Sequence, residues 1–186
     1  MKSKRILVVD LEATCWEDNR EPPKGQYSEV IEIGCTILER SPHDEWEITD
    51  SFGILVKPTI SSVSQFCEDL TGITQKALED NGIEFSVAMF MLKEVKAGIW
   101  ASWGNYDYDM IKKECTRHHL KWWKHLPTMH LNVKALFSAK NVCGGRGLSR
   151  ALKQLSMGFD GTPHRGKDDS ENTAKILKQI LKEIGE

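Results

Sequence analysis

The stretch Ile6-Leu-Val-Val-Asp-Leu-Glu12 constrains this chain more than any other. Four apolar residues, opened by Lys4 and Arg5, suit a strand buried on both faces in the middle of a sheet. The run then closes on Asp10 and Glu12. Side chains two apart in a strand share a face, so both carboxylates are presented to one point. Two anions held together beside an apolar strand are costly unless a cation neutralises them. Hard oxygen donors of this kind suit Mg²⁺ or Mn²⁺. The plain alternative is a pair of solvated acids at a strand end.

The remaining pattern gives that strand its neighbours. Pro22, Pro23 and Gly25 mark a loop, Val30–Leu38 alternates as a second strand, and Trp46–Val56 is a third, ended by Pro58. Short connections make these three an antiparallel meander. From Val63 the period turns helical: Phe66–Leu70 stops at Gly72, and Thr74 caps a short helix running to about Glu79. Phe85, Ala88, Met89, Leu92 and Val95 form one face of a further helix. Ile99–Trp103 is another buried strand, followed by helices near Tyr108–His119, Asn132–Ser138, Leu148–Leu155 and Lys167–Ile184. The expected architecture is a single α/β domain over residues 1–186, with a mixed sheet of about five strands, the first three antiparallel, flanked by helices.

Composition narrows the function. The formal net charge is −2, whereas proteins that grip long nucleic acid through many phosphates carry an excess of Lys and Arg. Any nucleic-acid contact is therefore expected to be short and local. Cys15, Cys35, Cys67, Cys115 and Cys143 are odd in number and form no C-x-x-C pair, which argues against a disulfide framework or a thiolate zinc site. The opening apolar stretch is too short for a signal peptide or membrane span, so the expected location is cytoplasmic.

Two more segments carry acids. Asp107 and Asp109 follow the Ile99–Trp103 strand, where either caps a helix or joins a site, and spacing does not separate them. Pro163-His164-Arg-Gly-Lys-Asp168-Asp169 precedes the last helix, with Gly166 permitting a tight turn. Taken together, these groups match what metal-assisted phosphodiester hydrolysis requires: several carboxylates holding two ions roughly 3.5–4 Å apart, and an imidazole, which titrates near neutrality, to take a proton from water.

At these residues the sequence resembles the DEDDh family of 3′→5′ exonucleases, which share a ribonuclease-H-like fold. Val8-Val-Asp-Leu-Glu-Ala-Thr-Cys15 is similar to the first motif, Gly104-Asn-Tyr-Asp107 to the second, and His164-Arg-Gly-Lys-Asp-Asp169 to the third. The resemblance selects Asp107 over Asp109 through the preceding aromatic, and Asp169 over Asp168 through its distance from His164. Asp10-Leu-Glu-Ala-Thr-Cys15, Glu29-Val-Ile-Glu-Ile-Gly34, Phe66-Cys-Glu-Asp-Leu-Thr-Gly-Ile-Thr74 and the run Asp160–Ala174 are most similar to the Eri1-like RNA exonucleases. Ser102-Trp-Gly-Asn-Tyr-Asp107 departs from the His-Asn-x-x-Phe-Asp pattern of polymerase-proofreading relatives.

The resemblance implies that Asp10, Glu12, Asp107 and Asp169 hold two Mg²⁺ (or Mn²⁺) ions, with His164 as general base. It implies further that Leu11, Ala13 and Thr14 cradle the terminal nucleotide, and that Leu70, Thr71 and Ile73 border its base. The expected partners are the 3′ ends of single-stranded RNA or DNA, with a nucleoside 5′-monophosphate as product. Two rivals stay open: a DNA 3′-exonuclease of repair or turnover, and a non-catalytic RNA-binding adaptor on the same fold. Trp16 is placed either to stack on a base or to cover the core. The basic residues Lys112, Lys113, Arg117, Lys121, Lys124, Arg146, Arg150 and Lys153 form either a modest phosphate track or solvated helix faces.

Overall fold

The computed structural model describes residues 4–17, 21–43 and 45–184; the first three residues of the basic opening stretch lie outside these. The elements run β1 (Arg5–Ala13), β2 (Val30–Arg40), β3 (Trp46–Leu55), α1 (Gln65–Thr71), α2 (Gln75–Asn81), α3 (Phe85–Glu94), β4 (Ile99–Ser102), α4 (Tyr106–Arg117), β5 (His130–Asn132), α5 (Val133–Lys140), α6 (Leu148–Gln154) and α7 (Gly166–Ile184). One sheet is formed, in the order β3-β2-β1-β4-β5. β1, β2 and β3 are an antiparallel meander, and β4 and β5 add to β1 in parallel.

β1 is central, and its two faces explain the layers. Leu7, Val9 and Leu11 pack against Ala88, Met89 and Leu92 of α3 and Met110 and Ile111 of α4. Ile6 and Val8 face Val133 and Phe137 of α5, Ala151 and Leu152 of α6, and Ala174, Ile176 and Leu177 of α7. Continuing the even-numbered face by the two-residue period leads straight to Asp10 and Glu12. The apolar layer thus turns acidic where α7 begins.

Helix boundaries follow their caps. Ser64 Oγ accepts from Cys67 N (3.0 Å) at the start of α1, and Gly72, at φ 69°, ends it. Thr74 Oγ1 accepts from Ala77 N (2.9 Å) to open α2. β4 stops at Ser102, one residue short of the expected Trp103, because Gly104 adopts φ 110° and turns the chain out of the sheet. β5 is three residues long, too short to produce a period in the sequence.

One close approach sets the height of α7. A Cβ on Gly34 would fall 1.8 Å from the Gly166 carbonyl carbon, so the start of α7 rests directly on the β2 backbone. Thr36 Oγ1 and Ser170 Oγ, 2.9 Å apart, continue the contact one turn further on.

Candidate active site

β1 contributes Asp10 and Glu12, and α7 contributes Asp169 from its first turn. Each of the three offers a carboxylate oxygen, and these oxygens lie within 4.8 Å of one another. Asp107, 4% exposed at the start of α4, accepts a hydrogen bond from Leu11 N at 2.9 Å, which pins it to the β1 backbone between the two strand acids. Asp109 is exposed and lies outside the cluster.

The electrostatics are those of carboxyl groups crowded together and shielded from water. Burial, then the charges of Asp107, Asp169, Glu12 and Glu32, raise the Asp10 pKa well above its ordinary value. Burial with the Asp169, Glu32 and Asp107 charges pushes Glu12 up to about 8. Asp107 is raised to about 6 by burial, against opposing hydrogen bonds from Leu11 N–H and the Ser102 hydroxyl. Burial also raises Asp169 to about 6, opposed by the hydrogen bond from His164 N–H. An all-carboxylate donor set with this much unrelieved repulsion fits a hard divalent cation.

His164 is held by the loop before α7. Its N–H donates to Asp169 Oδ2 (2.7 Å), and its φ of 63° places it in the left-handed region. Asp168 accepts from Thr162 N (2.8 Å). Asn172, fully buried, accepts from Asp160 N (3.1 Å) and donates to Asp160 O and Asp168 O (2.8 Å each). Glu32, directly opposite Glu12 on β2 and 2% exposed, receives two hydrogen bonds from Arg165 (3.2 and 3.1 Å) and one from Gly166 N (2.8 Å). Sequence reasoning misses Glu32, Arg165 and Asn172. All three lie in runs that resemble the Eri1-like exonucleases, which name the segments but not the contacts, and Glu32 is in addition an acid within a largely apolar strand.

Asp10, Glu12, Asp107, Asp169 and His164 line one cleft of 390 Å³. Of the expected nucleotide contacts, Leu11, Ala13, Leu70 and His164 line it. Thr14, Thr71 and Ile73 do not: each is 2% exposed or less. Thr14 Oγ1 is engaged with Tyr27 O and Glu29 N, and Thr71 Oγ1 with Cys67 O and Ile73 N. Cys15, Trp103, Tyr106 and Leu148 take part in the lining instead, whereas Trp16 does not. Trp122 packs edge-on against Tyr108, 5.8 Å between rings. Arg117 donates to Ser28 O (2.7 Å), pairs with Glu114 and lies over Tyr27, which removes it from any phosphate track.

A central β1 carrying an Asp-x-Glu, an acid at the start of the helix after β4, and a His-x₄-Asp opening the last helix define the class: the chain belongs to the exonuclease family RNase_T, whose pattern matches residues 7–177. ERI1 exoribonuclease 2 of Xenopus laevis is 27% identical over 201 residues, covering 95% of this chain and 28% of the relative. The 3′-5′ exoribonuclease 1 of Rattus norvegicus is 30% identical over 190 residues, covering 96% of this chain and 53% of the relative. The chain therefore spans between about a quarter and a half of the length of these curated relatives. The nuclease domain of 3′hExo, a DEDDh family member solved bound to rAMP, superposes with a TM-score of 0.82 at 29% identity, covering 97% of this chain and 93% of that one. The fold is the ribonuclease-H-like nuclease fold. Among the described residues, no helix is long and apolar enough to cross a membrane.

Proposed function

We propose that this chain is a metal-dependent 3′→5′ exonuclease that shortens single-stranded RNA from its 3′ end and releases nucleoside 5′-monophosphates. The observation that carries this is the convergence of the Asp10, Glu12 and Asp169 oxygens within 4.8 Å of one another, with Asp107 pinned to Leu11 N and His164 in the same cleft. Asp10, Glu12, Asp107 and Asp169 would hold two Mg²⁺ or Mn²⁺ ions. Bound there, the metal supplies Lewis-acid stabilisation of the phosphoryl charge and lowers the pKa of water.

The protein's own groups do the rest. His164, fixed through its backbone to Asp169, takes the proton from the attacking water. Leu11 and Ala13 floor the terminal nucleotide, and Leu70 gives its base sequence-tolerant apolar contact. RNA is favoured as substrate by the similarity to proteins named exoribonucleases. The described cysteines are all unpaired, which fits a reducing cytoplasmic setting.

The test is digestion of 5′-labelled single-stranded RNA and DNA of one sequence with Mg²⁺, Mn²⁺ or EDTA. Stepwise shortening from the 3′ end, faster on RNA and abolished by EDTA, is expected. Activity surviving EDTA overturns the metal-dependent chemistry, and faster cleavage of DNA reverses the substrate. Binding of RNA with no cleavage of either substrate would leave the adaptor alternative.

A further inference from the structure

The cleft has two sides, and the proposed function occupies only one. Ala13, Cys15 and Leu70 lie toward β2, where Cys67 of α1 donates to Ala13 O. Trp103, directly after β4 on the opposite side of β1 from β2, and Leu148, at the start of α6, also line it. The acids of β1 sit between them. With the terminal nucleotide on the Leu70 side and its phosphate at the carboxylates, Trp103, Tyr106 and Leu148 are the apolar and aromatic lining left for the next nucleotide.

That side is built to receive it. Trp103 Nε1 donates to Arg146 O (3.2 Å), and its ring packs 5.8 Å from Phe137 at 52°, so the indole is fixed while remaining half-exposed. The loop that carries it is rigid too. Gly104 N donates to Ser102 O (3.0 Å), and Asn132 Nδ2 donates to Asn105 Oδ1 (2.8 Å). The Lys134 side chain runs beside Gly104 and Gly145, the chain neighbours of Trp103 and Arg146, and Arg146 and Arg150 are exposed. None of these three cations has a carboxylate partner among the described residues. In a chain of net charge −2, a held aromatic face, with three cations lacking carboxylate partners on α5, α6 and the loop between them, is an arrangement suited to holding a single strand by base stacking and phosphate contact.

We propose that Trp103, backed by Leu148, is the stacking platform for the base of the penultimate nucleotide, and that Lys134, Arg146 and Arg150 contact the phosphates upstream of it. The preferred substrate is then a flexible 3′ tail of several nucleotides, not a dinucleotide or a recessed end. This rests on the exonuclease function proposed above.

The experiment measures release of the first nucleotide from a 5′-fluorescent RNA heptamer carrying either a base or an abasic ribose at the penultimate position. The wild type is expected to lose roughly 10- to 100-fold in kcat/KM on the abasic RNA, the range one base–aromatic stack supplies. Trp103→Ala is expected to fall by the same factor on intact RNA and to be indifferent to the abasic change, with Trp103→Phe restoring most of the loss. A purely packing role for Trp103 lowers both substrates equally and overturns the proposal. So does a wild type indifferent to the missing base, whatever the variants do. Replacing Lys134, Arg146 and Arg150 by Gln should flatten the dependence of log KM on log salt, by about 0.7 for each phosphate that is no longer neutralised. An unchanged slope removes the cationic half. A wild type that releases nothing from either RNA fails at the exonuclease function itself and takes this inference with it.

Discussion

Glu32 on β2 and Arg165 in the loop before α7 form a two-point ion pair, 3.2 and 3.1 Å, across 133 residues of sequence. With Gly166 N on the same carboxylate, the pair fixes the backbone on one side of His164, while the Asp169 carboxylate holds the His164 N–H. The position of the candidate base is thus set from β2, not only from its own loop.

Glu32→Gln keeps an acceptor for Gly166 N and loses the charge that holds Arg165. Placement of the imidazole should loosen while the acid set stays. We expect kcat to fall roughly 10- to 100-fold, the scale on which small misplacements act, with KM for RNA and the affinity for Mn²⁺ little changed. Arg165→Ala should do the same and cost about 1–3 kcal/mol of stability, since it strips partners from a buried carboxylate. Steady-state kinetics and Mn²⁺ titration calorimetry separate the cases. A loss of Mn²⁺ affinity in place of kcat would mean that Glu32 serves the metal ligands directly.

The acid cluster makes the metal-free fold sensitive to pH. Glu12 is pushed up to about 8 and Asp10 well above its usual range, so the native state holds protons that the unfolded chain has released. A raised folded-state pKa stabilises below the unfolded value and loses that stabilisation as pH rises through the folded one. The metal-free Tm should therefore increase as pH is lowered from about 8 toward 5.5, and saturating Mn²⁺ should flatten the trend. Glu29 works in the opposite sense. Burial pushes it up, but hydrogen bonds from the Thr59 hydroxyl and from Thr59, Ser61 and Ile60 N–H outweigh this and hold it below its usual value. Its contribution is lost only on further acidification. Asp10→Asn should raise the metal-free Tm at pH 8 and abolish cleavage. Calorimetry across this range decides the matter, and a metal-free Tm that drops on acidification would contradict it.

How much of this can be read from the sequence depends on whether an interaction is local. Asp10 and Glu12 are legible because strand parity places them on one face within three residues. The helix ends at Gly72 and Thr74 are legible because capping is local. Choosing Asp107 and Asp169 over their neighbours requires motif resemblance, and the structure adds geometry: Asp107 reaches Leu11 N, whereas Asp109 is exposed. Glu32 is hidden because its partner lies 133 residues away. For Thr14 and Thr71, a motif names the positions without showing where a hydroxyl points. Both hydroxyls are used internally.

Within the last motif, the two adjacent aspartates should separate cleanly. Asp169 belongs to the acid cluster and also holds His164 N, so Asp169→Ala removes two functions and should abolish cleavage. Asp168 holds only the loop, through Thr162 N, and its side chain packs on Gly161. Losing one such bond is worth about 1 kcal/mol, so Asp168→Ala should lower kcat by less than about tenfold. Asp109→Ala should leave cleavage close to wild type. Equal losses at 168 and 169 in parallel single-turnover assays would show that the register of the third motif is shifted by one.

The Gly34–Gly166 contact gives the most direct test of how α7 is seated. A methyl group at Gly34 would overlap the Gly166 carbonyl carbon, at 1.8 Å, and the Lys167 nitrogen, at 2.4 Å. Both are backbone atoms and cannot swing aside as a side chain would, so α7 has to lift from the sheet. Overpacking of this kind costs on the order of 3 kcal/mol or more, equivalent to a fall in Tm of about 6–12 °C for a domain of this size. The same displacement carries Asp169 away from Asp10 and Glu12. Gly34→Ala is therefore expected to lose Mn²⁺ affinity as well as stability. Gly25→Ala makes a useful control: its φ of 86° strains any side chain, but nothing lies within 4 Å of the added methyl. It should lower Tm modestly and leave Mn²⁺ binding intact. Calorimetry with and without Mn²⁺ on the two variants separates local backbone strain from the seating of α7, and wild-type Mn²⁺ affinity in a folded Gly34→Ala protein would show that the helix does not depend on this contact for its height.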